Sequence, residues 1–134
     1  MIQMLKRQHK EIWGLLNQIE AILTKDFSGN SFEILMKLGE LSGKVKMHLA
    51  QEDQVLYPAL LENKEPKVRE TAQKFIQEMG GLSQAFNKFR AKYASVNSIK
   101  ENPVQFAAEM KAVANTLYKR IRAEEQDLYP LIAG

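Results

Sequence analysis

Apolar residues recur along the chain at helical spacing, and almost nothing else recurs. Ile2, Leu5, Ile12, Leu16, Ile19 and Leu23 follow one another in steps of three and four once His9 is counted as a member of the seam. That rhythm predicts an amphipathic helix with one buried stripe. The breaker-rich stretch 24–31 (TKDFSGNS) predicts a turn, with Ser31 as the N-cap of a second helix. In the second helix Leu38, Leu41, Val45, His48, Glu52 and Val55 continue the stripe, and Pro58 ends the element or lies just past it. Residues 63–66 predict a loop, with Pro66 in the first turn of the third helix.

Phe75, Met79, Leu82, Phe86, Phe89 and Tyr93 form the third seam, which has no polar member at its centre. Residues 95–102 (SVNSIKEN) predict a loop, and Asn102-Pro103 predicts a cap followed by proline at the first helical position. The last seam is Phe106, Met110, Val113, Leu117, Arg120, Glu124 and Leu128, ending at Tyr129-Pro130. No strand pattern competes. The expectation is an all-α, antiparallel, up-down-up-down four-helix bundle forming a single domain over residues 1–134.

The chain also repeats. Residues 48–58 read HLAQEDQVLYP and residues 120–130 read RIRAEEQDLYP, with five of eleven positions identical. The preceding helices match at an offset of 70, placing Leu5, Ile12, Leu16, Ile19 and Leu23 on Phe75, Leu82, Phe86, Phe89 and Tyr93. Two helical hairpins, about 1–60 and 66–132, related by a pseudo-twofold axis account for this. Under that relation His9 corresponds to Met79, His48 to Arg120 and Glu52 to Glu124.

Composition narrows the chemistry. The chain has 134 residues, 45% hydrophobic and 26% charged, the make-up of a globular protein. The absence of cysteine excludes disulfides, zinc fingers, iron–sulfur clusters and thiol catalysis. The N-terminus has no signal-peptide core and no stretch is apolar enough to span a membrane, so the expected address is the cytoplasm. A net charge of +3 is spread among interleaved acids and bases, without the basic stripe that nucleic acids require. No nucleic-acid or membrane partner is expected, and a protein partner remains open.

Both histidines of the chain lie on core-facing seams. His48 and Glu52 are four apart and share a helical face. Facing His and carboxylate side chains are how bundle cores build metal sites, and two His with one carboxylate is a common non-haem iron ligand set. The same residues are compatible with core histidines that hydrogen-bond Glu52 or Glu124. Trp13, Tyr57, Tyr118 and Tyr129 are most simply packing residues, with the hydroxyls of Tyr57 and Tyr129 placed to tie helix ends.

From LKRQHKEI to the final LYP, the chain resembles the hemerythrin-like (HHE cation-binding) domain family. The resemblance implies a two-iron site in which helix one supplies a His and helix two His-x-x-x-Glu. Helix three then supplies one or two further ligands, usually including His, and helix four a His followed by a carboxylate. Carried over, His9, His48 and Glu52 match, and Glu124 matches the second bridging carboxylate. Phe75 and Met79 stand at the third-helix ligand positions, and Arg120 stands at the fourth-helix His. An intact di-iron centre is therefore not expected; the cofactor is none, or a single non-haem iron or other divalent metal. Arg120 carries a permanent charge and can neutralise Glu52 and Glu124. The expected function is a non-catalytic scaffold, sensor or interaction module with an eroded metal site. The alternative is a mononuclear iron protein with an oxygen-, nitric oxide- or peroxide-related role. A phosphotransfer bundle is a remote alternative, because the histidines of this chain lie on buried seams.

Overall fold

The computed structural model describes residues 1–25, 29–79 and 81–132, with the side chain of Met79 also outside the description. It is all-helical. Helix α1 spans Ile2–Lys25 and α2 spans Ser31–Gln51. A π-helical turn at Glu52–Leu56 leads directly into α3, Tyr57–Leu61. The chain continues through α4 (Pro66–Met79), α5 (Leu82–Lys92), α6 (Val96–Lys100) and α7 (Pro103–Ala123). A second π-helical turn, Glu124–Leu128, and a 3-10 turn, Tyr129–Leu131, end the described chain.

Cross-helix pairs fix the directions. His9 meets His48 and Glu11 meets Lys44, so α1 and α2 are antiparallel. His9 meets Glu124 while Asn17 meets Tyr118, so the last helix is antiparallel to α1. Phe75 faces Arg120 and Lys92 faces Glu109, which makes the third arm antiparallel to the fourth. This is the antiparallel four-arm bundle that the apolar spacing predicts. No described helix is long and apolar enough to cross a membrane.

Several boundaries differ from the sequence expectation. Asn30, not Ser31, holds the N-cap position of α2, and Ser31 is already buried inside the first turn. Part of the predicted 24–31 turn lies outside the described residues. The third arm is two helices, α4 ending at Met79 and α5 beginning at Leu82 with Gly81 at its N-cap position. The predicted 95–102 loop contains α6, because Ser95 and Ser98 form a reciprocal capping box and Ile99 is fully buried. The Asn102 cap holds: its side chain accepts from the Gln105 backbone N–H, with Pro103 at the helix start.

The π turns change the register of the second and fourth arms. Their defining bonds run from the Tyr57 N–H to the Glu52 carbonyl and from the Tyr129 N–H to the Glu124 carbonyl. Each adds a residue to the turn. Val55, expected in the core, is therefore 48% exposed, and Leu56 is buried in its place. Pro58, expected to end the helix, sits inside α3. Proline lacks an N–H and its ring clashes with a carbonyl one turn back; the widened turn before it accommodates both. The two turns fall at equivalent places, residues 52–56 and 124–128, as the offset of 72 in the repeat predicts.

The interior has three layers. The larger apolar cluster runs from Ile12, Leu16 and Ile19 through Ile34, Leu38 and Phe86 to Phe106, Met110 and Ile121. A smaller one contains Leu5, Leu56, Tyr57, Leu60, Val68, Phe75, Leu128 and Tyr129. Between them lies a buried polar layer of His9, His48, Glu52, Arg120 and Glu124. In each contributing arm the polar positions are flanked by a residue of the larger cluster on one side and of the smaller on the other.

Candidate metal centre

The polar layer is built by residues that would otherwise be core. His9 lies between Leu5 and Ile12 on the α1 stripe. His48 lies in the last turn of α2 and Glu52 opens the π turn that follows; Arg120 and Glu124 occupy the same two places in the fourth arm. Glu52 and Glu124 have no exposed surface, and His9, His48 and Arg120 are each at least nine-tenths buried.

The two imidazoles converge. His9 Nε2 lies 3.0 Å from His48 Nε2 and 2.8 Å from Glu124 Oε1. His48 Nε2 is 3.3 Å from both Glu124 Oε1 and Glu52 Oε1. One donor atom from each of His9, His48, Glu52 and Glu124 lies within 4.8 Å of the other three. Two nitrogens held at right angles on a single ion, with bonds of about 2.1 Å, would stand about 3 Å apart. Glu52 Oε1 is buried without an aligned hydrogen-bond donor, the condition an ion would relieve. The residues present therefore fit one ion.

They do not fit a second. The Arg120 guanidinium has its Nε 3.1 Å from Glu124 Oε2 and one terminal nitrogen 3.9 Å from Glu52 Oε1. Neither nitrogen is aligned for a hydrogen bond, so the attraction is mainly Coulombic. The guanidinium carbon lies 4.9 Å from the centre of the Phe75 ring and 5.7 Å from that of Tyr57. Phe75 thus serves a cation after all, by its π face rather than as a ligand. Met79, the other substituted position, has a side chain outside the described residues.

Polar residues around the cluster hold its members in place. His48 Nδ1 donates to Gln8 Oε1 at 2.8 Å, and Gln8 Nε2 donates to Gln51 Oε1 at 2.9 Å. That chain places a proton on Nδ1 and turns Nε2 toward the cluster. The Tyr129 hydroxyl donates to Glu52 Oε2 at 3.1 Å and lies 3.2 Å from His9 Nε2. The Tyr57 hydroxyl donates to Glu124 Oε2 at 3.4 Å. Each tyrosine thus reaches the carboxylate of the other half of the chain.

The electrostatics are those of a site that takes up protons when it holds no other cation. Burial opposes a charge on His48, but hydrogen bonds to Glu124 and Glu52 outweigh it, raising its pKa to about 9. Burial and the neighbouring Glu124 raise Glu52 to about 8. Glu124 is pushed well below the usual carboxylate range: burial opposes this, but hydrogen bonds from Glu52 and both histidines and the Arg120 charge prevail. Burial keeps the Tyr129 hydroxyl protonated, as its role as donor to Glu52 requires.

The structure brings together all four candidate ligands and Arg120. The sequence reading missed Gln8 and Gln51, and it gave the tyrosine hydroxyls only a helix-end role. The repeated Glu-x-x-x-x-Tyr-Pro was the available signal for the tyrosines, since it gives each half one carboxylate and one tyrosine at equivalent places, although each tyrosine bonds the carboxylate of the other half. Gln8 carried no such signal beyond its place beside His9.

The Hemerythrin HHE cation binding domain family model matches residues 1–132. Comparison with curated proteins and with solved structures gives no significant match.

Proposed function

This chain belongs to the hemerythrin HHE cation-binding domain family, and we propose that it binds one metal ion where the family pattern provides for two. His9 and His48 bind through Nε2, and Glu52 and Glu124 through carboxylate oxygens. The observation that carries this reading is the 3.0 Å approach of the two Nε2 atoms beside Glu124 Oε1. Mixed imidazole and carboxylate donors suit iron(II), with zinc or manganese as substitutes. A bound ion of this kind supplies a Lewis-acidic, and with iron a redox-active, centre.

The chain's own residues then have defined tasks. Gln8 holds His48 in the binding tautomer. Tyr129 and Tyr57 orient the two carboxylates by donating to their outer oxygens. Arg120 takes over the charge of the second cation and cannot itself ligate. With half the binuclear machinery replaced, the role is sensing or binding rather than oxygen carriage. The proposed setting is cytoplasmic.

A second reading keeps the fold as a metal-free scaffold. It is favoured by one observation: Arg120 already faces both buried carboxylates, at 3.1 and 3.9 Å. Elemental analysis of protein purified from iron-replete medium separates the two. One equivalent of metal, lost in His48→Ala, is expected. Two equivalents, or none after loading with iron(II), zinc(II) and manganese(II), would overturn the mononuclear reading.

A further inference from the structure

Helices α2 and α5 pack side by side, and a groove of about 480 Å³ lies between them. Gly39, Ser42 and Lys46 line it from α2, and Asn87 and Arg90 line it from α5. Arg90 Nη1 donates to the Tyr93 carbonyl at 3.1 Å, which fixes the guanidinium. Arg90 Nη2 lies 3.6 Å from the point where a Cβ on Gly39 would stand, so it borders the groove wall. This nitrogen has no acceptor among the described residues, and it is not sealed from solvent. Ser42 is 6% exposed, and its hydroxyl is likewise unsealed and without a partner among the described residues. Lys46 and Asn87 are exposed, and Lys46 forms no ion pair with a described residue. No described Asp or Glu lines the groove.

Two cations without counter-charges thus stand on facing helices, each beside a neutral donor: Lys46 with Ser42, Arg90 with Asn87. A cleft lined by one sign of charge concentrates ions of the other. The geometry points to a phosphate-group site in this groove, taking inorganic phosphate or the phosphate end of a small monoester. A phosphate group carries a charge of about −1.5 to −2 at neutral pH, and its several oxygens accept strong hydrogen bonds. That charge balances both cations, and oxygens set out in three dimensions reach donors on both helices at once. A carboxylate has one charge and two oxygens in one plane, so it serves one cation and leaves the other unmatched. A water occupies about 30 Å³ in the liquid, so the groove also has room for part of an organic group attached to the phosphate. None of the five lining residues belongs to the His/Glu cluster, and the site stands whether or not that cluster holds an ion.

The test is an amide-NMR titration of the full chain with sodium phosphate and with phenyl phosphate at constant pH and ionic strength, with sodium acetate as the comparison. Saturable shifts at Ser42, Lys46, Asn87 and Arg90 are expected with both phosphate compounds, and weaker binding with acetate. A tighter fit for phenyl phosphate would assign the site to monoesters, and equal binding would assign it to the phosphate group alone. Lys46→Ala changes an exposed, unpaired residue and is expected to weaken binding about tenfold, the loss of one charge-assisted bond. Lys111→Ala, exposed on α7, is expected to bind as the parent does. His48→Ala, which removes a ligand of the proposed metal ion, is also expected to bind phosphate as the parent does. No saturable shift with either phosphate compound, parental affinity in Lys46→Ala, or acetate binding as tightly as phosphate would overturn the site. Loss of phosphate binding in His48→Ala would overturn it too, by placing the anion on the metal.

Discussion

The Tyr129 hydroxyl donates to Glu52 Oε2 at 3.1 Å, and the residue equivalent to it by the repeat, Tyr57, donates to the equivalent carboxylate, Glu124 Oε2, at 3.4 Å. The exchange crosses the bundle, so each half of the chain completes the polar layer of the other. Tyr129→Phe leaves a buried carboxylate oxygen without its donor and is expected to cost about 1–3 kcal/mol. Tyr57→Phe, whose bond is longer, is expected to cost less. Urea denaturation of chelator-treated protein measures both. Equal or reversed losses would contradict the geometry.

Gln8 is expected to matter for metal out of proportion to its distance from the ion. Replacing the residue that orients a ligating histidine typically lowers affinity about 10–100-fold. Gln8→Leu should do so, as seen in competition with a chromophoric chelator, and Gln51→Leu should have a smaller effect. A Gln8→Leu protein with parental affinity would show that the His48 tautomer is set by something else.

Arg120 faces two carboxylates in a buried layer. Removing one partner of a buried pair costs about 3–5 kcal/mol, and Arg120→Met is expected to destabilise the chelator-treated chain by that order. A melting temperature no lower than the parent's would sink the idea. Replacing Phe75 and Arg120 together by histidine restores imidazoles at positions where the family has ligands. This double variant should raise the metal content from one ion toward two.

The chelator-treated protein should have an acid-shifted stability optimum. His48 has its pKa raised from 6.5 to about 9, so its contribution is complete below pH 6.5 and is lost as pH rises through 9. Glu52, raised from 4.5 to about 8, favours the fold when protonated and penalises it progressively between those values. Glu124, held below 4.5, contributes above that value and loses its contribution as pH falls. Stability should therefore be greatest near pH 4.5, fall as Glu52 is asked to ionise above it, and fall more steeply above pH 6.5 where His48 joins. Thermal melts that rise steadily from pH 5 to pH 9 would contradict this.

The π turn makes a prediction that a regular helix would reverse. Val55→Lys should change stability by no more than about 0.5 kcal/mol, as surface substitutions do. Leu56→Ala should cost about 2–5 kcal/mol, as buried truncations do.

The sequence carried much of this arrangement. The seams located four arms and put His9, His48, Glu52, Arg120 and Glu124 in one layer, because a 3.6-residue rhythm fixes which side chains face inward. It misassigned Val55 for the same reason. An inserted residue is silent in a periodic reading; the Tyr57 N–H to Glu52 carbonyl bond and the exchange of burial between Val55 and Leu56 reveal it. Helix α6 was hidden because five residues are too few for a periodic signal, and Ser95, Ser98 and Asn102 suggest a loop as strongly as they suggest caps. Gln8 went unread because it sits one residue off the stripe; only the packing of α1 on α2 turns it to His48.

The charged layer lies across the interior and keeps the two apolar clusters apart. An apolar slab at that level would weld them into one cooperative block. As built, the end that holds Leu5, Leu60, Val68 and Tyr129 meets the remainder through imidazole, carboxylate and guanidinium. An ion clamped by residues from three arms acts as a rivet between the blocks. Occupancy of the cluster would then decide whether the bundle melts in one step or lets its smaller end open first.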